Sequence, residues 1–196
     1  MRAFGRCLAS MVAGVLVLGS AGAAAGHPRR NGELIQLGYQ LVNLNSRKCL
    51  TVTAAGLADD AIVVQQDCAK DAAFRWRFIR ESGGESDLYQ IINVNSGKCL
   101  AIAAAGIDDN AFATQYGCDH GPSQQWRLRK ADSAGLLATL TPLGETLLQN
   151  VHSQKCLTIA GGASTQNGVA VQYTCDDQQS RRWSMRLVAG ATLQDR

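Results

Sequence analysis

The chain has 196 residues, 46 % of them hydrophobic, with 19 Lys and Arg against 16 Asp and Glu and a formal net charge of +3 at pH 7. Two of the basic residues, Arg2 and Arg6, lie in a leading segment that reads as a leader, which leaves 17 basic side chains against 16 acidic ones. So even a balance gives no electrostatic basis for binding nucleic acid or an anionic membrane, the more so because Lys48, Lys98 and Lys155 are spread along the chain rather than clustered.

Arg2 and Arg6 precede an apolar run, Leu8 to Leu18, that ends in small residues, which is the pattern of a secretory signal peptide over 1–25. Cleavage is expected after Ala23 or Ala25, where small residues occupy the positions a signal peptidase reads. The run is too short to cross a bilayer, so no membrane span is expected. Cys7 lies ahead of the run rather than at its end, which argues against a lipid-modified cysteine. The mature product is expected to be secreted and extracellular.

Beyond this segment the pattern changes to short β-branched and aromatic runs punctuated by Gly, Asn, Asp and Ser, which predicts strands. Tyr39 to Leu44, Cys49 to Val52, Ile62 to Gln65 and Arg75 to Phe78 read as four of them. Alternation puts Leu50 and Val52 on one face, with Cys49 and Thr51 on the other. Ala-rich stretches such as 101–105 are interrupted by glycine and do not extend into a helix.

The unit Ser-x-Lys-Cys-Leu, x17, Cys, x7, Trp occurs three times, at Cys49/Cys68/Trp76, Cys99/Cys118/Trp126 and Cys156/Cys175/Trp183. A self-similar period of this size demands a repeat architecture. The repeats run over about 39–80, 87–130 and 146–188, within one domain at 34–188. Four strands in each of three units give twelve, and no single unit can bury its own apolar face, so a closed threefold β structure is expected. The first cysteines are 50 and then 57 residues apart, so the extra residues around 131–145 are expected to form a surface loop. The tail 189–196 has few large apolar residues and is expected to be flexible.

Without Cys7 there are six cysteines, one equally spaced pair per repeat, in a chain bound for an oxidising compartment. Six cysteines allow fifteen pairings. Only local pairing gives equivalent units equivalent bridges: Cys49 to Cys68, Cys99 to Cys118, Cys156 to Cys175. Zinc is the competing reading, but no Cys-x-x-Cys spacing exists and the only histidines are His27, His120 and His152. No metal and no cofactor are expected.

The Lys-Cys-Leu strand, the glutamines Gln65, Gln115 and Gln172 three residues before each second cysteine, and Gln124-Gln125-Trp126 together resemble the ricin B-type β-trefoil family. Gln-x-Trp itself stands only in the second unit; the others read Phe74-Arg75-Trp76 and Arg181-Arg182-Trp183. The resemblance implies an all-β, β-trefoil fold with pseudo-threefold symmetry, and tryptophans that serve as core residues. It also implies carbohydrate binding, of galactose, xylose or related sugars, in shallow pockets, up to one per repeat.

The family's usual pocket has an aspartate just after Cys-Leu, an aromatic ring two before the second cysteine and an amide before the tryptophan. Here the aspartate position holds Thr51, Ala101 and Thr158, and the aromatic position Gln66, Tyr116 and Tyr173. The position five after the second cysteine holds Ala73, Ser123 and Ser180. Repeats two and three are therefore the candidate sites: Tyr116 with Asp119, His120 and Gln124, and Tyr173 with Thr158 and Asp176. Asp59-Asp60 and Asp108-Asp109 look like carboxylate pairs, but neighbouring side chains point apart, and they are expected to serve as turns.

No Gly-x-Ser-x-Gly, His-Glu-x-x-His or phosphate-cradling glycine loop is present, so enzyme activity is not expected. A secreted carbohydrate-binding module is the first reading of function. A disulfide-stapled interaction scaffold or enzyme inhibitor without sugar binding is the alternative. The sequence carries no signal for an oligomeric state.

Overall fold

A computed structural model describes residues 38–81, 88–130 and 144–188. The signal segment, the tail and all but the last residues of the expected 131–145 loop lie outside the described residues. The first repeat contributes β1 (Gly38–Asn43), β2 (Cys49–Val52), β3 (Val63–Gln66) and β4 (Trp76–Arg80). The second contributes β5 (Leu88–Asn93), β6 (Cys99–Ile102), β7 (Ala113–Tyr116) and β8 (Gln125–Lys130), and the third β9 (Glu145–Asn150), β10 (Cys156–Ile159), β11 (Gly168–Tyr173) and β12 (Arg182–Val188). These are the twelve strands that the repeat count predicts. Expected boundaries shift by a residue or two, and Ile62 stands just outside β3 as an isolated bridge to Thr114.

Antiparallel pairing runs from β1 to β12, β9, β8, β5, β4 and back to β1, which closes a six-stranded barrel. The remaining strands form three hairpins, β2 with β3, β6 with β7 and β10 with β11, that cap it with threefold symmetry. The protein is a β-trefoil. Closure matters energetically, since a barrel leaves no unpaired strand edge. The Ala-rich segments after β2 and β6 are single 3-10 turns, Thr53–Ala55 and Ala103–Ala105, in which alanines take left-handed φ values of 49° to 51°. Glycine holds this conformation in the third repeat, at Gly161 and Gly162.

Trp76, Trp126 and Trp183 are fully buried, and each indole N–H donates to the carbonyl of its own repeat's Cys-Leu leucine, Leu50, Leu100 or Leu157, at 3.0, 2.9 and 3.0 Å. A buried indole needs such a partner, because an unpaired donor costs about 1–3 kcal/mol. Leu50, Val52 and their equivalents pack around the tryptophans. The opposite face of β2, which carries Cys49 and Thr51, is also buried: the 3-10 turn Ala72–Phe74 lies over it, and Cys49, Ala73 and Phe74 form a small second cluster.

The recurring polar residues hold repeats to one another. Ser46, Ser96 and Ser153 each donate to the Oε1 of Gln65, Gln115 or Gln172 at 2.6 Å. Each glutamine's Nε2 then donates to two carbonyls in the turn of the preceding repeat: Gln115 to Gly56 and Ala58, Gln172 to Gly106 and Asp108, and Gln65 to Ala163 and Thr165, which joins the first repeat to the third. The cysteines pair locally, with Cα separations of 4.9, 5.1 and 5.0 Å for Cys49–Cys68, Cys99–Cys118 and Cys156–Cys175.

Candidate functional site

Each cap hairpin turns one face to the core and one outward. In β7 the buried Ala113 and Gln115 face in, so strand alternation turns Thr114 and Tyr116 out. Tyr116 is 43 % exposed and walls a cavity of about 350 Å³ together with Thr114, Asp119, Ser123 and Gln124. Asp60 completes it from the preceding repeat, on a turn where it takes a φ of 60°. Ala101, at the position where the family carries aspartate, lies in the wall without a polar atom.

Asp119 Oδ1 accepts the Gly121 N–H at 2.7 Å, as Asp176 Oδ1 accepts the Gln178 N–H at 2.9 Å in repeat three. Gln124 is almost fully buried and its amide is already committed, Oε1 accepting from the Asp119 N–H at 3.0 Å and Nε2 donating to the Gly117 carbonyl at 2.8 Å. It shapes the loop that presents Asp119. His120 is not among the walls; its Nδ1 lies 3.0 Å from Gln90 Nε2 and 3.1 Å from Glu81 Oε1. The structure thus brings Tyr116, Asp119 and Gln124 together and sets His120 apart.

In repeat three the cavity is about 500 Å³, and Thr158, Tyr173 and Asp176 all line it. Tyr173 is 36 % exposed. Thr158 is buried and its hydroxyl proton goes to the Ser180 carbonyl at 2.9 Å, so it faces the cavity as an acceptor. Two residues that sequence reasoning missed stand beside these. Arg181, almost fully buried, has its guanidinium carbon 4.7 Å from the centre of the Tyr173 ring and Nη1 2.9 Å from Asp176 Oδ1. Such a cation over a ring face is attractive and fixes the ring. The signal was the Arg181-Arg182-Trp183 departure itself, since Arg181 occupies the place of Gln124. Asn110 enters from the preceding repeat, as Asp60 does in repeat two.

At the matching place in repeat one, Gln66 Nε2 donates to Asn167 Oδ1 at 2.7 Å, and the Thr51 hydroxyl donates to the Ala73 carbonyl at 3.1 Å. The position of Tyr116 and Tyr173 is thus held by an amide engaged across the repeat boundary. Of the acidic turn pairs, Asp60 lines the repeat-two pocket while its neighbour Asp59 points to the repeat boundary. Asp59 accepts from Lys98 Nζ and from the Gly117 N–H, and Asp109 accepts from Lys155 Nζ and the Thr174 N–H. The ammonium of Lys98 holds the Asp59 carboxyl below the usual aspartate range, and Lys155 does the same for Asp109.

A family described as ricin-type beta-trefoil lectin domain-like matches residues 30–86, 75–143 and 138–194. A designed threefold-symmetric protein, ThreeFoil, is 27 % identical with a TM-score of 0.67, over 75 % of this chain and 96 % of that one. An exo-β-1,3-galactanase from Clostridium thermocellum is 23 % identical with a TM-score of 0.69; the match covers 78 % of this chain and only 30 % of the enzyme. The C-half of an earthworm R-type lectin in complex with GalNAc is 10 % identical with a TM-score of 0.56, over 76 % of this chain and 98 % of that one. No curated protein sequence matches the chain.

Proposed function

Because the chain belongs to the ricin-type β-trefoil lectin-like family, we propose that it is a non-enzymatic, secreted carbohydrate-binding protein that takes sugars in the shallow pockets of repeats two and three. The observation that carries this reading is the pairing, in each of these pockets, of a half-exposed tyrosine with a carboxylate: Tyr116 with Asp60 and Asp119, and Tyr173 with Asp176. A pyranose has an apolar face of C–H groups and an edge of hydroxyls. The ring supplies area for the first, and the carboxylate accepts from the second.

Both pockets lack the aspartate that would sit at Ala101 or Thr158. A hydrogen bond to a charged acceptor contributes about 1.5–3 kcal/mol and a neutral one about 0.5–1.5 kcal/mol, so single-site affinity is expected to be low. Two sites on one protein recover binding to a polymer through avidity. Export is supported by the leader-like first 25 residues and by three disulfides, which persist in oxidising compartments.

The test is retention on immobilised polysaccharides, chosen from a glycan array, by the intact protein, Tyr116→Ala, Tyr173→Ala and the double variant. Each single variant is expected to weaken retention and the double variant to abolish it. No retention by the intact protein would leave the interaction scaffold as the better reading.

A further inference from the structure

We propose that Phe112, a residue of the second repeat, is a second stacking platform of the repeat-three pocket, so that this pocket takes two or more linked sugar units where the repeat-two pocket takes one. This rests on the reading of the pockets as sugar sites.

Phe112 precedes β7, and since Ala113 and Gln115 face the core, Phe112 faces outward with Thr114 and Tyr116. It forms an isolated antiparallel bridge with Val171, which lies in the wall of the repeat-three pocket. Next to this pair the Gln172 N–H donates to the Ala111 carbonyl at 3.0 Å, which marks Phe112 and Val171 as a pair that exchanges no hydrogen bonds of its own. Side chains of such pairs stand on one face at the closest approach a sheet allows, with Cα atoms about 4.5 Å apart. Tyr173 follows Val171 by two residues on the same face, diagonal to Phe112, and diagonal neighbours at about 7–8 Å are within reach of aromatic side chains. The register therefore puts Phe112 and Tyr173 on the same outward face, diagonal to each other.

Phe112 is 52 % exposed, so the core does not account for it. Its equivalents are aliphatic and partly covered, Ile62 beside the repeat-two pocket and Val169 in repeat three. Asn110, two residues before Phe112, lines the pocket, and Phe112 stands just outside that lining, paired with Val171 of the wall. The repeat-three cavity, at about 500 Å³ against about 350 Å³, is also the larger.

The test is calorimetric titration in a Tyr116→Ala background, which leaves only the repeat-three pocket, with galactose, xylose, glucose and mannose and the β-linked di- and trisaccharides of each. Affinity is expected to rise about tenfold from one unit to two or three. Phe112→Ala should remove that rise and leave monosaccharide binding unchanged, Phe112→Trp should keep it, and Tyr173→Ala should lose both. A rise that survives in Phe112→Ala, or monosaccharide binding with no rise in the parent, overturns this proposal and leaves the sugar reading standing. Absence of binding by the intact protein overturns both. Because the ring is exposed, an unchanged thermal midpoint in Phe112→Ala separates lost contact from lost fold.

Discussion

Repeats one and three share a frame and differ at their outward surface. In both, the motif serine holds a glutamine that holds the neighbouring turn, the indole reaches the leucine carbonyl, and a threonine after Cys-Leu spends its proton on a buried carbonyl. Yet Tyr173 projects over Arg181 while Gln66, in the same place, is tied to Asn167. The difference teaches that inward positions, which are fixed by packing and by buried polar groups needing partners, tolerate little change. One outward position decides whether the same backbone presents a platform or a sealed seam.

The comparison breaks first if the frame is not equivalent. Trp76→Ala, Trp126→Ala and Trp183→Ala should each lower unfolding stability by about 3–5 kcal/mol in urea titrations, alike in all three repeats. A loss confined to one repeat would show that the three lobes do not share a core. Gln65→Ala, Gln115→Ala and Gln172→Ala should cost less, about 1–3 kcal/mol each, chiefly through the carbonyls left unpaired, with midpoints that again agree among repeats. Gln66→Tyr sharpens the contrast directly. Losing its exposed hydrogen bond should shift stability by no more than about 1 kcal/mol, while retention on the polysaccharide that the intact protein binds should increase.

The smallest effect concerns the seams between repeats. Asp59 and Asp109 ionise more readily in the folded protein than in the unfolded chain because Lys98 and Lys155 donate to them. Their contribution is therefore complete above the ordinary aspartate pKa, near pH 4, and is lost as the pH falls through the lower folded value. Any stability gap between the parent and Asp59→Asn with Asp109→Asn at pH 7 should shrink below about pH 4, as read from thermal midpoints across pH. At the remaining seam the acid has changed sides: Asp67 of repeat one meets Lys48 and Gln166.

What was legible in the sequence follows the same division. Fold, strand count, sulfur pairing and tryptophan burial all depend on short-range spacing repeated three times, and all were readable. The pockets were half readable. Tyr116, Asp119, Tyr173, Thr158 and Asp176 come from within one repeat, so their convergence follows from the hairpin and the loop after it. Asp60 and Asn110 come from the preceding repeat, and only the threefold closure brings them in. The commitment of Gln124 to its own loop and the turning away of His120 depend on φ and on hydrogen-bond partners that residue identity does not reveal.

Gly38 lies opposite Val188 where β1 meets β12, so the seam between the first and last strands is built like the ones between consecutive repeats. Where the backbone is opened is then a matter of gene order rather than of architecture. A rearranged chain that begins at the third repeat, continues through a short linker from Val188 to Gly38 and ends with the second would meet the same partners at every position.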